Sequence, residues 1–234
     1  MCERLRLGVM VVAVLGIVSA LFAEDLPGRP VRVVSIGIHD GTPLDEACAL
    51  VEKEGAQGAD LILLPETWTG HKMPLDTVDG PTLPRMRELA QRHHTAIVCP
   101  LDRMDGSTRY NTAFVIGPDG AILGAYNKVY PYWSEFKGDP VTPGDDAPVF
   151  DLPFGKLGVA ICFDANFPEV WQRLADRGAE IVAWPSAYSA GTQLQAHALN
   201  HHFYIVSCTL VPDCIVYDIT GKELLHENTA PVNV

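Results

Sequence analysis

The chain has 234 residues, 47% of them hydrophobic and 20% charged, with a formal net charge of −12 at pH 7. Such a composition suits one globular domain with a substantial core, without low-complexity tracts or internal repeats. An acidic chain of this kind is a poor partner for nucleic acid or for an anionic membrane surface.

The first two dozen residues differ from the rest. Arg4 and Arg6 make a short basic start, Gly8 to Phe22 is an apolar run with one Ser, and small residues at Ser19, Ala20 and Ala23 precede Glu24-Asp25. This is the layout of a secretory signal peptide, with Val18-Ser19-Ala20 and Leu21-Phe22-Ala23 as alternative cleavage ends. A spanning helix needs about 20 apolar residues, so an uncleaved anchor is the second reading. The expected organisation is a signal peptide or anchor over 1–23 and one domain over 24–234, exported to a periplasm or beyond.

Past Pro27 and Pro30, Val31 to Ile38 reads as a strand and Pro43 to Glu54 as a helix. Ala59 to Leu64 is a second strand that runs directly into Pro65-Glu66-Thr67-Trp68. Thr82 to His93 is a helix with Pro84 in its first turn, and Ala96 to Cys99 is a third strand. Asn111 to Ile116 and Ala121 to Asn127 flank Gly117-Pro118-Asp119-Gly120 as a hairpin, and Lys128 follows. A Pro- and Gly-rich loop, Pro131 to Pro148, leads to Val149-Phe150 and then to the apolar run Leu157 to Ile161, with Cys162 at its end. Phe163 to Asn166 make a tight connection into a helix that begins at Phe167-Pro168 and closes at Gly178. Glu180 to Ala183, Phe203 to Thr209 and Ile215 to Asp218 complete the strands, with a helix over Thr192 to His202 and a turn over Ile219 to Lys222. Strands alternating with helices, plus an antiparallel hairpin, predict a layered α/β protein with mixed sheets.

Six cysteines are present, Cys2, Cys48, Cys99, Cys162, Cys208 and Cys214. Removal of the leader would leave an odd number, so one thiol stays free unless an intermolecular bond forms. Cys99, Cys208 and Cys214 lie in strand-like runs and read as core, and nothing has the spacing of a structural zinc site. His197 and His201 are one helical turn apart, a spacing that can bind metal but lacks a nearby third ligand, and half-buried helix histidines are the plainer reading.

Glu66, Lys128 and Cys162 each sit just past a strand end. A thiol between a strand end and a helix start stands where an α/β fold places its chemistry, and the local N–H groups favour a thiolate. The plainer reading of Cys162 is a core cysteine, and of Glu66 and Lys128 a pair of loop charges. Taken together, a Glu in an apolar pocket could draw the thiol proton, and a Lys beside it could steady a developing oxyanion.

LLPETW, NKVYPYWSEF and GVAICFDANFPE, in that order, resemble the motifs of the nitrilase (carbon–nitrogen hydrolase) superfamily. YNTAFVIGPDGAILGAYNK, TPGD at Thr142 to Asp145, and GAEIVAWPSA match its flanking segments, and the resemblance covers roughly Val31 to Leu225. It implies a four-layer αββα sandwich and a Glu–Lys–Cys triad of Glu66, Lys128 and Cys162. It also implies a second glutamate, Glu135, which would orient Lys128 or a substrate amine. In the implied mechanism Glu66 takes the thiol proton as Cys162 attacks an amide-type carbonyl. Lys128 and the Phe163 N–H hold the oxyanion, ammonia or an amine leaves, and water hydrolyses the thioester. No metal or organic cofactor is required, and a homodimer or higher homo-oligomer is implied. Phe163-Asp164 after the nucleophile resembles the amidase and carbamoylase branches, which favours a small linear amide or N-carbamoyl substrate over a nitrile. Trp133, Phe136, Asn166 and Tyr188 are pocket-wall candidates, for which core or rim packing is an equal reading.

Two features depart from the family. His197-Ala198-Leu199-Asn200-His201 stands where an Arg-Ala-x-Glu-Asn pattern is usual, and the sequence ends at Val234, where relatives usually continue for another strand and a tail. An acyltransferase of the same fold and a catalytically silent binding module are the competing readings.

Overall fold

The computed structural model describes residues 29–70, 75–210 and 213–228; the expected leader over 1–23 lies outside the described residues. Residues from Val31 onward form one unit. Its strands are apolar on both faces, and that dictates the layering. In β2 (Leu61–Leu63) the odd residues Leu61 and Leu63 join one core while Ile62 joins another, and all three are fully buried.

The first sheet has the order β1-β2-β3-β4-β5, built from Val33–Ser35, Leu61–Leu63, Ala96–Asp105, Thr108–Ile116 and Ile122–Asn127. β1, β2 and β3 are parallel, whereas β3–β4 and β4–β5 are antiparallel. Helices α1 (Leu44–Ala56) and α2 (Thr82–His93) cover its outer face through Val51, Leu83, Met86 and Ala90, packed on Ile62, Ile97 and Phe114. The second sheet runs β11-β10-β9-β8-β7-β6, from Glu223–Glu227, Cys214–Tyr217, Tyr204–Thr209, Ile181–Ser186, Gly155–Val159 and Val149–Leu152, with β7, β8 and β9 parallel. Its inner residues, among them Leu157, Val159 and Ala183, share a core with Leu61, Leu63 and Val98 of the first sheet. Helices α3 (Pro168–Asp176) and α4 (Gly191–His201) close the other side. The result is the four-layer αββα sandwich that the resemblance implies.

α3 begins with Pro168, whose fixed φ suits a first helical residue. α4 is seated by stacking. His197 lies flat on Trp171 at 4.2 Å, with its Nε2 3.0 Å from the Ala165 carbonyl, and His201 stacks against Phe203. The His197–His201 pair thus packs α4 against α3 and the residue that leads into β9, and no group of three or more metal-ligating side chains occurs among the described residues.

Two strands extend beyond their sequence-based bounds. β3 and β4 form one long hairpin from Ile97↔Ile116 to Asp105↔Thr108, although Pro100 and the charges at Asp102, Arg103 and Arg109 read as a loop. Beyond Val98 β2 no longer pairs with β3, so Pro100 interrupts no central ladder. Asp102 and Arg103 are buried, with Arg109 paired to Asp102 and Arg103 bonded to Thr112 at 3.1 Å. β11 escaped the sequence reading because Leu224 and Leu225 are both exposed, which breaks the alternation of a half-buried strand.

Candidate active site

The parallel strands of both sheets end at one place. Glu66 follows β2, Lys128 follows β5, and Cys162 follows β7, with two residues between. Their exposures are 3%, 1% and 6%. Lys128 is clamped by its own backbone: its N–H donates to the Asn111 carbonyl at 2.8 Å and its carbonyl accepts from Gly144 N–H at 2.8 Å. A Cβ at Gly144 would lie 2.2 Å from the Asn127 carbonyl oxygen, so the TPGD loop reaches Lys128 only with glycine there.

Cys162 opens a short 3₁₀ turn, Cys162–Asn166, with φ of +49°, a conformation that costs a non-glycine residue energy and persists only when its surroundings enforce it. Asp164 enforces it. Its carboxylate accepts from Ile161 N–H at 2.9 Å, Tyr130 N–H at 2.8 Å and the Tyr126 hydroxyl at 2.6 Å, tying the residue before the nucleophile to the segment after Lys128. Burial pushes the Asp164 carboxyl up to about 7, against the three donors that pull it down. The Trp184 indole also donates to the Cys162 carbonyl at 3.1 Å. Each buried donor left unpaired costs about 1–3 kcal/mol, so Asp164→Ala is expected to lower stability by about 3–5 kcal/mol in equilibrium urea unfolding. A loss under about 1 kcal/mol would show that Asp164 does not hold the turn.

The three side chains meet in a shared network. Glu66 Oε1 accepts from Lys128 Nζ at 2.7 Å and Asn111 Nδ2 at 2.7 Å, while Oε2 accepts from Ala187 N–H at 2.9 Å. Cys162 lines the same cavity, where its thiol feels the Glu66 carboxylate. Glu135 Oε2 accepts from Lys128 Nζ at 2.6 Å and from Tyr132 N–H at 2.6 Å, and its Oε1 from Asn111 Nδ2 at 2.9 Å. Burial lowers the Lys128 pKa, but the Glu66 carboxylate, with Glu135 beside it, outweighs this and holds the ammonium firmly protonated. Burial raises the Cys162 thiol, the Glu66 carboxylate raises it further, and Lys128 offsets part of this. The resting site therefore pairs a protonated thiol with a carboxylate that can receive its proton.

A cavity of about 540 Å³ opens over this network. Phe163, Asn166 and Tyr188 line it, with Glu66, Lys128, Glu135 and Cys162 at its floor. Trp133 and Phe136 are not in its lining: they are 57% and 53% exposed, and Lys137 Nζ sits 3.9 Å from the Trp133 ring centre. The reason is local. Trp133–Phe136 is one 3₁₀ turn, in which residues three apart share a side, so with Ser134 and Glu135 facing the cavity both aromatics point away.

Asn111, which bridges the two glutamates, was not singled out from sequence. Closing the hairpin simply at Ile116 and Ala121 places Arg109 opposite Lys128. The ladder instead slips between Val115 and Ile116, giving Thr112↔Asn127 and so Asn111 beside Lys128. The Ala187 and Tyr132 N–H groups carry no side-chain signal at all.

The carbon–nitrogen hydrolase family model matches residues 43–228. The omega-amidase NIT2 of Mus musculus is 27% identical over 191 residues, 73% of this chain and 69% of that protein. A nitrilase of Pyrococcus abyssi is 32% identical over 197 residues, covering 78% of this chain and 74% of its own length. Among solved structures, Saccharomyces cerevisiae Nit3, a member of branch 10 of the nitrilase superfamily, superposes with a TM-score of 0.77 at 20% identity, over 86% of this chain and 88% of that one.

Proposed function

The chain belongs to the carbon–nitrogen hydrolase family, and on that premise we propose that it cleaves a small linear amide or N-carbamoyl compound through a thioester on Cys162. One observation carries this reading: a buried carboxylate, Glu66, bonded to the Lys128 ammonium at 2.7 Å, shares one cavity with the Cys162 thiol. The omega-amidase name of the Mus musculus relative favours amide cleavage.

In the proposed cycle Glu66 takes the thiol proton as the sulfur bonds to the substrate carbonyl carbon. The carbonyl oxygen gains the charge, and Lys128 and the Phe163 N–H stabilise it. Glu66 returns the proton to the departing nitrogen and the C–N bond breaks, leaving an acyl thioester on Cys162. Water then gives its proton to Glu66, its oxygen bonds to the acyl carbon, and the C–S bond breaks to release acid and thiol. Glu135 and Asn111 keep the ammonium and the carboxylate in register.

The test is ammonia release from matched primary amides, N-carbamoyl compounds and nitriles. Amides or N-carbamoyl compounds are expected to lead, and a nitrile turned over fastest would move the reading to nitrile hydrolysis, which the Pyrococcus abyssi nitrilase favours. Asn111→Ala is expected to lower kcat about 10²-fold with KM little changed, because it misplaces both glutamates without touching substrate. An unchanged kcat would remove Asn111 from the machinery. Because burial holds the Cys162 thiol above its ordinary value, which is about 8.5, its alkylation by iodoacetamide should still be rising at about pH 9. A plateau below about pH 8 would show a resting thiolate instead.

A further inference from the structure

The cavity that holds the reacting groups carries an unusual balance of charge and hydrogen-bonding capacity. Its described lining contains two carboxylates, Glu66 and Glu135, and one cation, Lys128. That cation is already bonded to both carboxylates at 2.7 and 2.6 Å. No second lysine or arginine lines the cavity among the described residues. Lys137, next to the 3₁₀ turn, is drawn over the Trp133 ring on the outward side, and Arg109 is taken up by Asp102 and the Asp139 carbonyl. The first turn of α4 adds about half a positive charge near the mouth, which leaves the balance negative.

One wall of the cavity is polar and neutral. Gln193 Nε2, in the first turn of α4, donates to Asn166 Oδ1 at 3.0 Å. Asn166 Nδ2 in turn donates to the Phe163 carbonyl at 3.1 Å and to the Tyr188 hydroxyl oxygen at 3.3 Å. The chain of bonds fixes the amide orientations of both side chains. It leaves the Tyr188 hydroxyl proton and the Gln193 carbonyl oxygen to meet a ligand, a donor and an acceptor side by side. Burial raises the Tyr188 pKa, so that proton stays in place across the working range.

We propose that the Tyr188–Asn166–Gln193 wall selects substrates whose far end is uncharged and both donates and accepts hydrogen bonds, such as a second carboxamide or a ureido group, and that the site discriminates against amides ending in a carboxylate. A carboxylate there would lose its hydration, meet no unpaired cation, and share the cavity with two fixed negative charges. A terminal carboxamide would find complementary partners for both its NH₂ and its C=O. The proposal deepens the amidohydrolase reading and rests on it.

Three four-carbon primary amides test it: butanediamide, its monoacid 4-amino-4-oxobutanoate, and 4-aminobutanamide. Binding to Cys162→Ala by calorimetry and ammonia release by the unaltered chain are read separately. The diamide is expected to bind and react about tenfold or more better than the monoacid. Gln193→Arg, on an exposed helical turn, is expected to narrow that ratio by improving the monoacid, and Tyr188→Phe to weaken the diamide alone. Monoacid binding as tight as the diamide, or a ratio that Gln193→Arg leaves unchanged, would overturn the charge selection. Selective binding of the diamide with no ammonia from any of the three would instead sink the hydrolase reading and leave the selectivity standing.

Discussion

Replacement of Cys162 by alanine is expected to cut ammonia release by about 10⁴-fold or more, in line with the loss of a covalent nucleophile elsewhere, while the folded chain survives. The sulfur sits 6% exposed at the floor of the cavity, and its removal deletes one atom facing a space already open to solvent. Alanine can occupy the φ of +49° no worse than cysteine does, and the turn is held by Asp164 rather than by the thiol. Thermal unfolding followed by circular dichroism should therefore shift little while activity disappears. Cys162→Ser should be nearly as inactive, because a hydroxyl at this position is a far weaker nucleophile than a thiol handed to the same base. Residual activity above about 1% in Cys162→Ala would contradict the nucleophile assignment.

Lys128→Met should fail in a different way, through stability as well as chemistry. The ammonium is 1% exposed between two carboxylates that are 4% and 14% exposed. Taking it away strands two buried charges, and breaking a buried pair by removing one partner costs about 3–5 kcal/mol. Loss of an oxyanion donor adds about 10²–10³-fold in kcat. The double variant Lys128→Met, Glu135→Gln should recover part of the stability and none of the activity, a coupling that equilibrium urea unfolding of all four species would measure. Lys128→Arg should not rescue, since a planar guanidinium cannot occupy the site of a compact ammonium bonded to both glutamates. Equal stability of Lys128→Met and the unaltered chain would show that the two carboxylates are less committed to the ammonium than their distances imply.

The strands, and the placement of Glu66, Lys128 and Cys162 past their ends, were readable because they rest on short-range patterns, whereas the four layers came only with the family resemblance. Leu61 to Leu64 and Leu157 to Ile161 are apolar without alternation, which is how a strand buried on both faces is written, and each is followed within two residues by the residue that enters the site. The wall was less readable. Trp133 and Phe136 are the largest apolar residues beside Glu135, so composition points to them, yet the three-residue turn carries both away from the cavity. Asn111 was hidden by a slip of register in the β4–β5 ladder that no turn residue announces. Gln193 joins Asn166 across 27 positions of sequence, a contact that exists only after α4 packs. Asp164 was legible as a branch marker, but its three bonds to the turn and to the Lys128 segment depend on geometry.

A covalent acyl group on Cys162 would be seen by acid-quenched peptide mass mapping. The unaltered chain is mixed with its best amide, quenched within the first turnover, digested at low pH and read by mass. The account predicts a peptide containing Cys162 heavier by the acyl group less one hydrogen, lost on treatment with hydroxylamine and absent from Cys162→Ala. Ammonia released in that first turnover with Cys162 unmodified, or with the acyl group on another residue, would contradict it.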